Sequence, residues 1–187
     1  QPNEQKNIKS TIRINNATFN NRIDFAYVVF DEPIDLSGSD FLGSLNFTYA
    51  VLDESIDVSN SNFANNVYFN DSIFRGGARF SNTTFTRDAF FERCTVIEDA
   101  DFSGANFSKD AYFRDVNFSK DVDFRDVNFN EDAGFNRAYF KGDVGFSGAN
   151  FSEGSDISFE TLDLLYFGDV SQGVNNRSTI NPNKSIV

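Results

Sequence analysis

Residues 103–157, broken into elevens, read SGANFSKDAYF, RDVNFSKDVDF, RDVNFNEDAGF, NRAYFKGDVGF and SGANFSEGSDI. Phenylalanine recurs at Phe107, Phe113, Phe118, Phe124, Phe129, Phe135, Phe140, Phe146 and Phe151, in steps that alternate six and five. Two residues ahead of each stands a small or β-branched side chain: Ala105, Ala111, Val116, Val122, Val127, Ala133, Ala138, Val144 and Ala149. Apolar residues at i−2 and i follow the period of an extended strand, with both side chains on one face. Between the pairs lie Ser, Gly, Asn, Asp and Lys, the residues of turns. Each unit reads as a short inward strand followed by a corner, and four such sides close a coil of 22 residues. An amphipathic helix is the rival, because eleven residues over three turns also carry an apolar stripe. It fails on composition: helix formers are scarce, and Asn, Asp, Ser, Gly, Val and Phe dominate.

The lattice runs outward from this stretch without a slip, back to Ile14 and Ile8 and forward to Ile157 and Leu162. From residue 19 to residue 151 it has 25 positions, of which 21 are Phe and four are Leu36, Leu52, Val58 and Val96. Phe90, Phe159 and Phe167 lie off it. A fixed internal period is the mark of a solenoid. Residues 22 apart should stack in columns: 19, 41, 63, 85, 107, 129 and 151 are all Phe, while the non-Phe positions gather in two other columns. Volume is traded within a column. Ile12, Ile34 and Ile56 precede Ile14, Leu36 and Val58, whereas Ala78 and Ala100 precede Phe80 and Phe102. A close-packed core demands this compensation. Coils spaced like hydrogen-bonded strands, about 4.8 Å apart, make roughly seven coils a rod about 35 Å long. Its interior is filled with rings, leaving no room for a ligand along the axis.

The 187 residues suffice for one domain with a sizeable core. The net charge of −12 argues against direct nucleic-acid binding, which needs Lys and Arg, and is compatible with a basic protein partner. There is no His, and Cys94 is the single cysteine, so the commonest general base, an internal disulfide and a thiolate metal cluster are excluded. No cofactor is expected. No apolar run approaches the length of a membrane span. The chain begins at Gln1 and holds no Met, so its native start is expected to be missing, either through removal of a signal peptide, which would make its location extracytoplasmic, or because the sequence is a chosen piece of a longer chain.

Pro33 occupies the slot three before Leu36, where later repeats place Asp110, Asp121, Asp132 and Asp143. Proline there requires a turn and no ladder N–H, which marks the slot as a corner. With these residues the chain resembles the pentapeptide-repeat proteins, in a Phe-rich variety with alternating five- and six-residue spacing. The family's central residue matches Phe107, Phe113, Phe118 and their equivalents, and its i−2 residue matches Ala105, Ala111, Cys94 and Ser72. The resemblance spans residues 8 to 162 and implies a right-handed quadrilateral β-helix. The extra residue in alternate sides departs from the plain family repeat of five and predicts bulged corners. The expected organisation is a leader at 1–7, the β-helix at 8–157, a C-terminal cap at 158–170 and a polar tail at 171–187. An open solenoid end needs a lid. Leu162, Leu164, Leu165, Tyr166 and Phe167 are expected to supply it, or to join two monomers end to end as a homodimer.

The candidate interaction surface is the set of corner aspartates. A coil of 22 puts Asp88, Asp110 and Asp132 on one edge and Asp99, Asp121 and Asp143 on the opposite edge. The plainest role for each is to accept the N–H groups of its own turn, in a slot shared with Pro33 and Gly148. An acidic ladder imitating a phosphate backbone and a row of cation sites are the sharper alternatives. The resemblance also implies the acidic-ladder alternative, since some pentapeptide-repeat proteins bind type II topoisomerases by imitating duplex DNA. Cys94 in an inward slot is a small core filler. The sequons at Asn16, Asn46, Asn70 and Asn82 follow largely from the composition of the repeat. No phosphate loop, nucleophile elbow or convergent acid–base pair is present. The sequence thus reads as a non-enzymatic rod offering an acidic surface for protein interaction.

Overall fold

The computed structural model describes residues 6–152. The expected cap, with Leu162, Leu164, Leu165, Tyr166 and Phe167, lies outside the described residues, as do Ile157 and the polar tail. The described chain is an all-strand, four-sided β-solenoid of 27 short strands. Face A runs from Lys6–Ile8 to Tyr139–Phe140, face B from Ile12–Arg13 to Val144–Gly145, and face C from Thr18–Phe19 to Asn150–Phe151. Face D runs from Ile23–Asp24 to Ala133–Gly134 with six strands, and the other three faces have seven each. Every pairing is parallel with a register of 22, as in Phe63 against Phe85 and Phe107 against Phe129. The first strand begins at Lys6, so two residues of the expected leader already pair, Lys6 with Val28 and Asn7 with Val29.

The alternation of five and six resolves into two kinds of corner. The five-residue steps, from B to C and from D to A, are tight β-turns. The Ala105 N–H donates to the Phe102 carbonyl and the Ala138 N–H to the Phe135 carbonyl, each at 3.0 Å. The third turn residue takes a positive φ at every eleventh position, for example Asn16 at 52°, Arg93 at 57° and Gly104 at 66°. That geometry suits Gly or Asn, yet Tyr27, Tyr49, Arg93 and Arg137 also adopt it. Ladder bonds to the next coil hold Tyr27, Tyr49 and Arg93 there, such as the Arg93 N–H to the Arg114 carbonyl at 2.9 Å. The six-residue steps, from A to B and from C to D, hold the extra residue in a wider bend, as at residues 53–55 and 64–66. Pro33 and Gly148 therefore do not share a slot. Pro33 ends a wide corner, whereas Gly148, at φ 72°, sits in a tight one. Three residues before the central position means two different geometries, because the wide corner has one more residue to absorb.

Rings pack in two directions at once. Along the axis they stack: Phe85 on Phe107 at 4.6 Å and 3°, Phe91 on Phe113 at 5.0 Å and 5°, Phe102 on Phe124 at 5.0 Å and 11°. Across the coil they meet edge to face: Phe91 with Phe102 at 88° and Phe107 with Phe113 at 83°. Offset stacks and T-shapes are the two arrangements that the ring quadrupole favours, and each pair adds about 0.5–1.5 kcal/mol beyond burial. The central Phe residues from Phe107 to Phe151 are all buried. The few inward hydroxyls are satisfied: those of Ser39, Ser61 and Thr83 donate to the carbonyls of Ile14, Leu36 and Val58. Among the described residues no buried side-chain N or O lacks a partner.

Phe113 stacks on Phe91 and Phe135 and takes edges from Phe102, Phe107 and Phe124. Phe113→Ala is expected to cost about 3–5 kcal/mol in urea unfolding. Phe19→Ala, at the half-buried first coils, should cost clearly less. Equal losses would contradict a core whose strength grows with the number of stacked neighbours.

Candidate interaction faces

The residue just before the central one points outward on every side. Its identity, read every 22 residues, gives each face its own chemistry. Face A carries Val29, Val51, Ile73 and Thr95, all half-buried. Face B carries Arg13, Asp35, Asp57, Arg79, Asp101 and Asp123. Face C carries an amide row, with Asn106, Asn128 and Asn150 in register. Face D carries Tyr68, Phe90 and Tyr112, stacked at 5.1 and 4.9 Å with their planes within 6°. This external ring ladder was signalled in the sequence by Phe90, the one described Phe off the lattice.

The corner aspartates end the wide bends. Asp88, Asp110 and Asp132 lie on the edge between faces C and D, and Asp99, Asp121 and Asp143 on the edge between A and B. Their bonding differs from the own-turn expectation. Asp110 Oδ1 accepts the backbone N–H of Asp132 at 3.3 Å, Asp99 that of Asp121 at 3.3 Å, and Asp121 that of Asp143 at 2.8 Å. Each reaches one coil on, because that N–H is not used by the strand ladder. The own-turn bond belongs instead to the outward aspartates of face B. Asp57 accepts from Ser59 at 2.9 Å, Asp101 from Ser103 at 2.9 Å and Asp123 from Arg125 at 2.8 Å.

The tight corner between D and A holds a continuous column. Tyr27 stacks on Tyr49 at 4.9 Å, then follow Asp71, Arg93, Asp115 and Arg137. Arg93 binds Asp71 through two contacts of 2.7 Å, and Arg137 binds Asp115 through two of 2.6 Å. These forks hold the Asp71 and Asp115 carboxyls below the ordinary 3.8, against the opposing effect of burial. On face D the Tyr112 hydroxyl donates to Asp110 Oδ2 at 2.9 Å. Burial, that bond and the charges of Asp110, Asp88 and Asp132 push its ionisation up to about 12. Cys94 is buried, and desolvation raises its thiol to about 12. Its Sγ lies 2.9 Å from the Phe69 carbonyl, in contact with Ser72. Such a thiol is a packing group.

Two shallow open depressions mark the surface. One lies beside Tyr68, lined by Ser44, Asn65, Asn66, Arg87, Asp88 and Lys109, and the other lies on face B over Ala100 and Val122. Neither brings a nucleophile and a base together. Among the described residues no group of acids and Cys is arranged to hold a metal ion, and no helix is long and apolar enough to cross a membrane.

A family model described as Pentapeptide repeats (9 copies) matches residues 25–73, 36–84, 47–95, 69–117 and 113–160. No match was found among curated proteins or among solved structures.

The Asp71 and Asp115 pairs carry a pH signature. A carboxyl whose ionisation is depressed by folding stabilises the fold above its unfolded value, and that contribution disappears as pH falls through the folded value. The double substitution Asp71→Asn and Asp115→Asn should cost roughly 0.2–1 kcal/mol per pair at pH 7, since both pairs are solvent-screened, and progressively less as pH falls below the ordinary carboxylate range. Urea melts of both proteins across that range measure it. A constant difference would rule the ion pairs out as its source.

Proposed function

Because the chain belongs to the pentapeptide-repeat family, we propose that it acts as a rigid, rod-shaped, non-enzymatic scaffold that presents an acidic surface to a protein partner. The family is generally non-enzymatic. The observation that carries the reading is the division of labour in the coil. Among the described residues, Phe and smaller apolar side chains fill the inside, so every charged side chain stands outside, in straight columns that repeat at the strand spacing. Such a rod offers a partner fixed positions, with little ordering entropy to lose on binding. The net charge of −12 favours a basic partner and a fast, salt-sensitive encounter.

A second reading, imitation of duplex DNA towards a topoisomerase or another DNA-binding protein, draws on the aspartate repeated coil by coil along two diagonal edges. Its weak point is charge density: about one net charge per 3 Å of rod, against one per about 1.7 Å of DNA. Several of those charges are also engaged, as in Lys120 with Glu98 and Lys109 with Glu131.

The first reading expects a basic protein to bind with an affinity that falls steeply with salt. Replacing Asp88, Asp110 and Asp132 with Asn should weaken binding at least tenfold, and an equal neutralisation at Glu32, Asp40 and Glu54 should weaken it less. Binding indifferent to all six residues would sink it. A supercoiling assay with a type II topoisomerase separates the second reading, which requires inhibition at micromolar concentration.

A further inference from the structure

The outward ladder of face D stops abruptly. After Tyr68, Phe90 and Tyr112 the next place in the column is Gly134, paired in register with Tyr112. A Cβ built on Gly134 meets no atom within 4 Å. Among the described residues, no side chain fills the place beyond Tyr112 where the next ring of the stack would lie.

Face B contains the same gap and shows what fills it. There the column ends at Gly145, paired in register with Asp123. A Cβ built on Gly145 would lie 3.3 Å from Arg125 Cγ and 3.7 Å from its Cδ, because Arg125 folds back across the glycine. Its guanidinium then pairs with Asp123, Nε at 2.9 Å from both carboxylate oxygens. The equivalent residue beside face D is Arg114, also the first after the central Phe. Arg114 cannot do the same, since the column offers it a tyrosine instead of an aspartate. It turns away to Glu92, 3.0 Å, and towards Asp115, 3.7 Å. Among the described residues, the place that Arg125 occupies on face B has no occupant on face D.

The surroundings of the vacancy select a cation. Asp110 holds the Tyr112 hydroxyl, and Asp88 and Asp132 are close enough to shift its ionisation. A planar cation over Gly134 meets an aromatic face on one side and the Asp132 edge beside it. Guanidinium satisfies both, stacking on the ring while its N–H fork reaches a carboxylate, whereas an ammonium lacks the plane and the fork.

We propose that the gap above Gly134 is a docking site for an arginine side chain of a basic protein partner, stacked on Tyr112 and paired with Asp132. This rests on the acidic-scaffold reading and specifies which cation the scaffold selects.

The test titrates the full chain with octa-arginine and octalysine peptides of equal charge at physiological salt. Calorimetry gives affinities, and amide spectra give the location. The wild type is expected to bind octa-arginine at least fivefold more tightly, with the Gly134 and Tyr112 amide signals moving only for that peptide. Gly134→Phe extends the stack with the chain's own ring and should bring octa-arginine down to the level of octalysine without lowering the melting temperature. Tyr112→Leu removes the ring and should do likewise. Equal affinities for both peptides, or a preference that survives in both variants, would overturn the arginine site and leave the acidic scaffold standing. Failure of both peptides to bind would overturn the two together.

Discussion

The structure depends on a coincidence of two lengths. Parallel strands repeat at about 4.8 Å because their hydrogen bonds fix that distance. Aromatic rings stack most favourably from about 4.5 Å upward. A phenylalanine placed once per coil in the same column therefore satisfies ladder and stack together, and the observed centroid separations, such as 4.6 Å for Phe85 and Phe107 or 4.9 Å for Phe113 and Phe135, sit at that match. A slip of one residue would turn the rings outward and forfeit their burial. The unbroken register over the described coils follows from that penalty.

The coil must also close, which the corners accomplish with unequal steps. The tight turns require a positive φ that most side chains resist, so tyrosine and arginine at this position look misplaced by local propensity. The column supplies the compensation. Tyr27 lies on Tyr49, and Arg93 and Arg137 each span back to an aspartate one coil earlier. Strain at a corner is offset by a contact that exists only because the corners stack. Local and non-local structure are in this sense the same thing in a solenoid, where each repeat leans on its neighbours alone.

This explains what could be read from the sequence. Inward positions are legible because burial tolerates only a few side chains, and a period of alternating five and six survives in Phe, Ala and Val. The 22-residue coil followed from the columns. Corners were legible as corners, but counting three back from a central residue merged two kinds: Pro33 lies in a six-residue step and Gly148 in a five-residue one, and the backbone shows that the two step lengths make different turns. Outward positions carry no such restriction, and the ladder of Tyr68, Phe90 and Tyr112 appears only when the sequence is written in 22s and the residue before each central one is read down the page. The partner of each corner aspartate was beyond reach, since own-turn and next-coil N–H groups are alternatives that pattern alone does not separate.

The same stacking rule that orders the interior constrains the exterior, and the places where the chain works against it are informative. Like charges held about 4.8 Å apart repel by about 1 kcal/mol even in water. The corner from D to A obeys, alternating Asp71, Arg93, Asp115 and Arg137. The two wide edges do not: Asp88, Asp110 and Asp132 stack acid on acid, as do Asp99, Asp121 and Asp143. Part of the cost is relieved by the N–H of the next coil, and part by neighbours such as Lys120 and Lys109. Serine, asparagine and glycine occupy the same slot in earlier coils, at Ser44, Asn66 and Gly77, so the backbone does not demand aspartate there. A repeated choice that geometry does not require and electrostatics opposes fits the proposal that these edges meet a partner. The edge nearest the ring ladder of face D, where acid and aromatic meet, is the part of the rod at which we propose that a cationic, planar group of a partner docks.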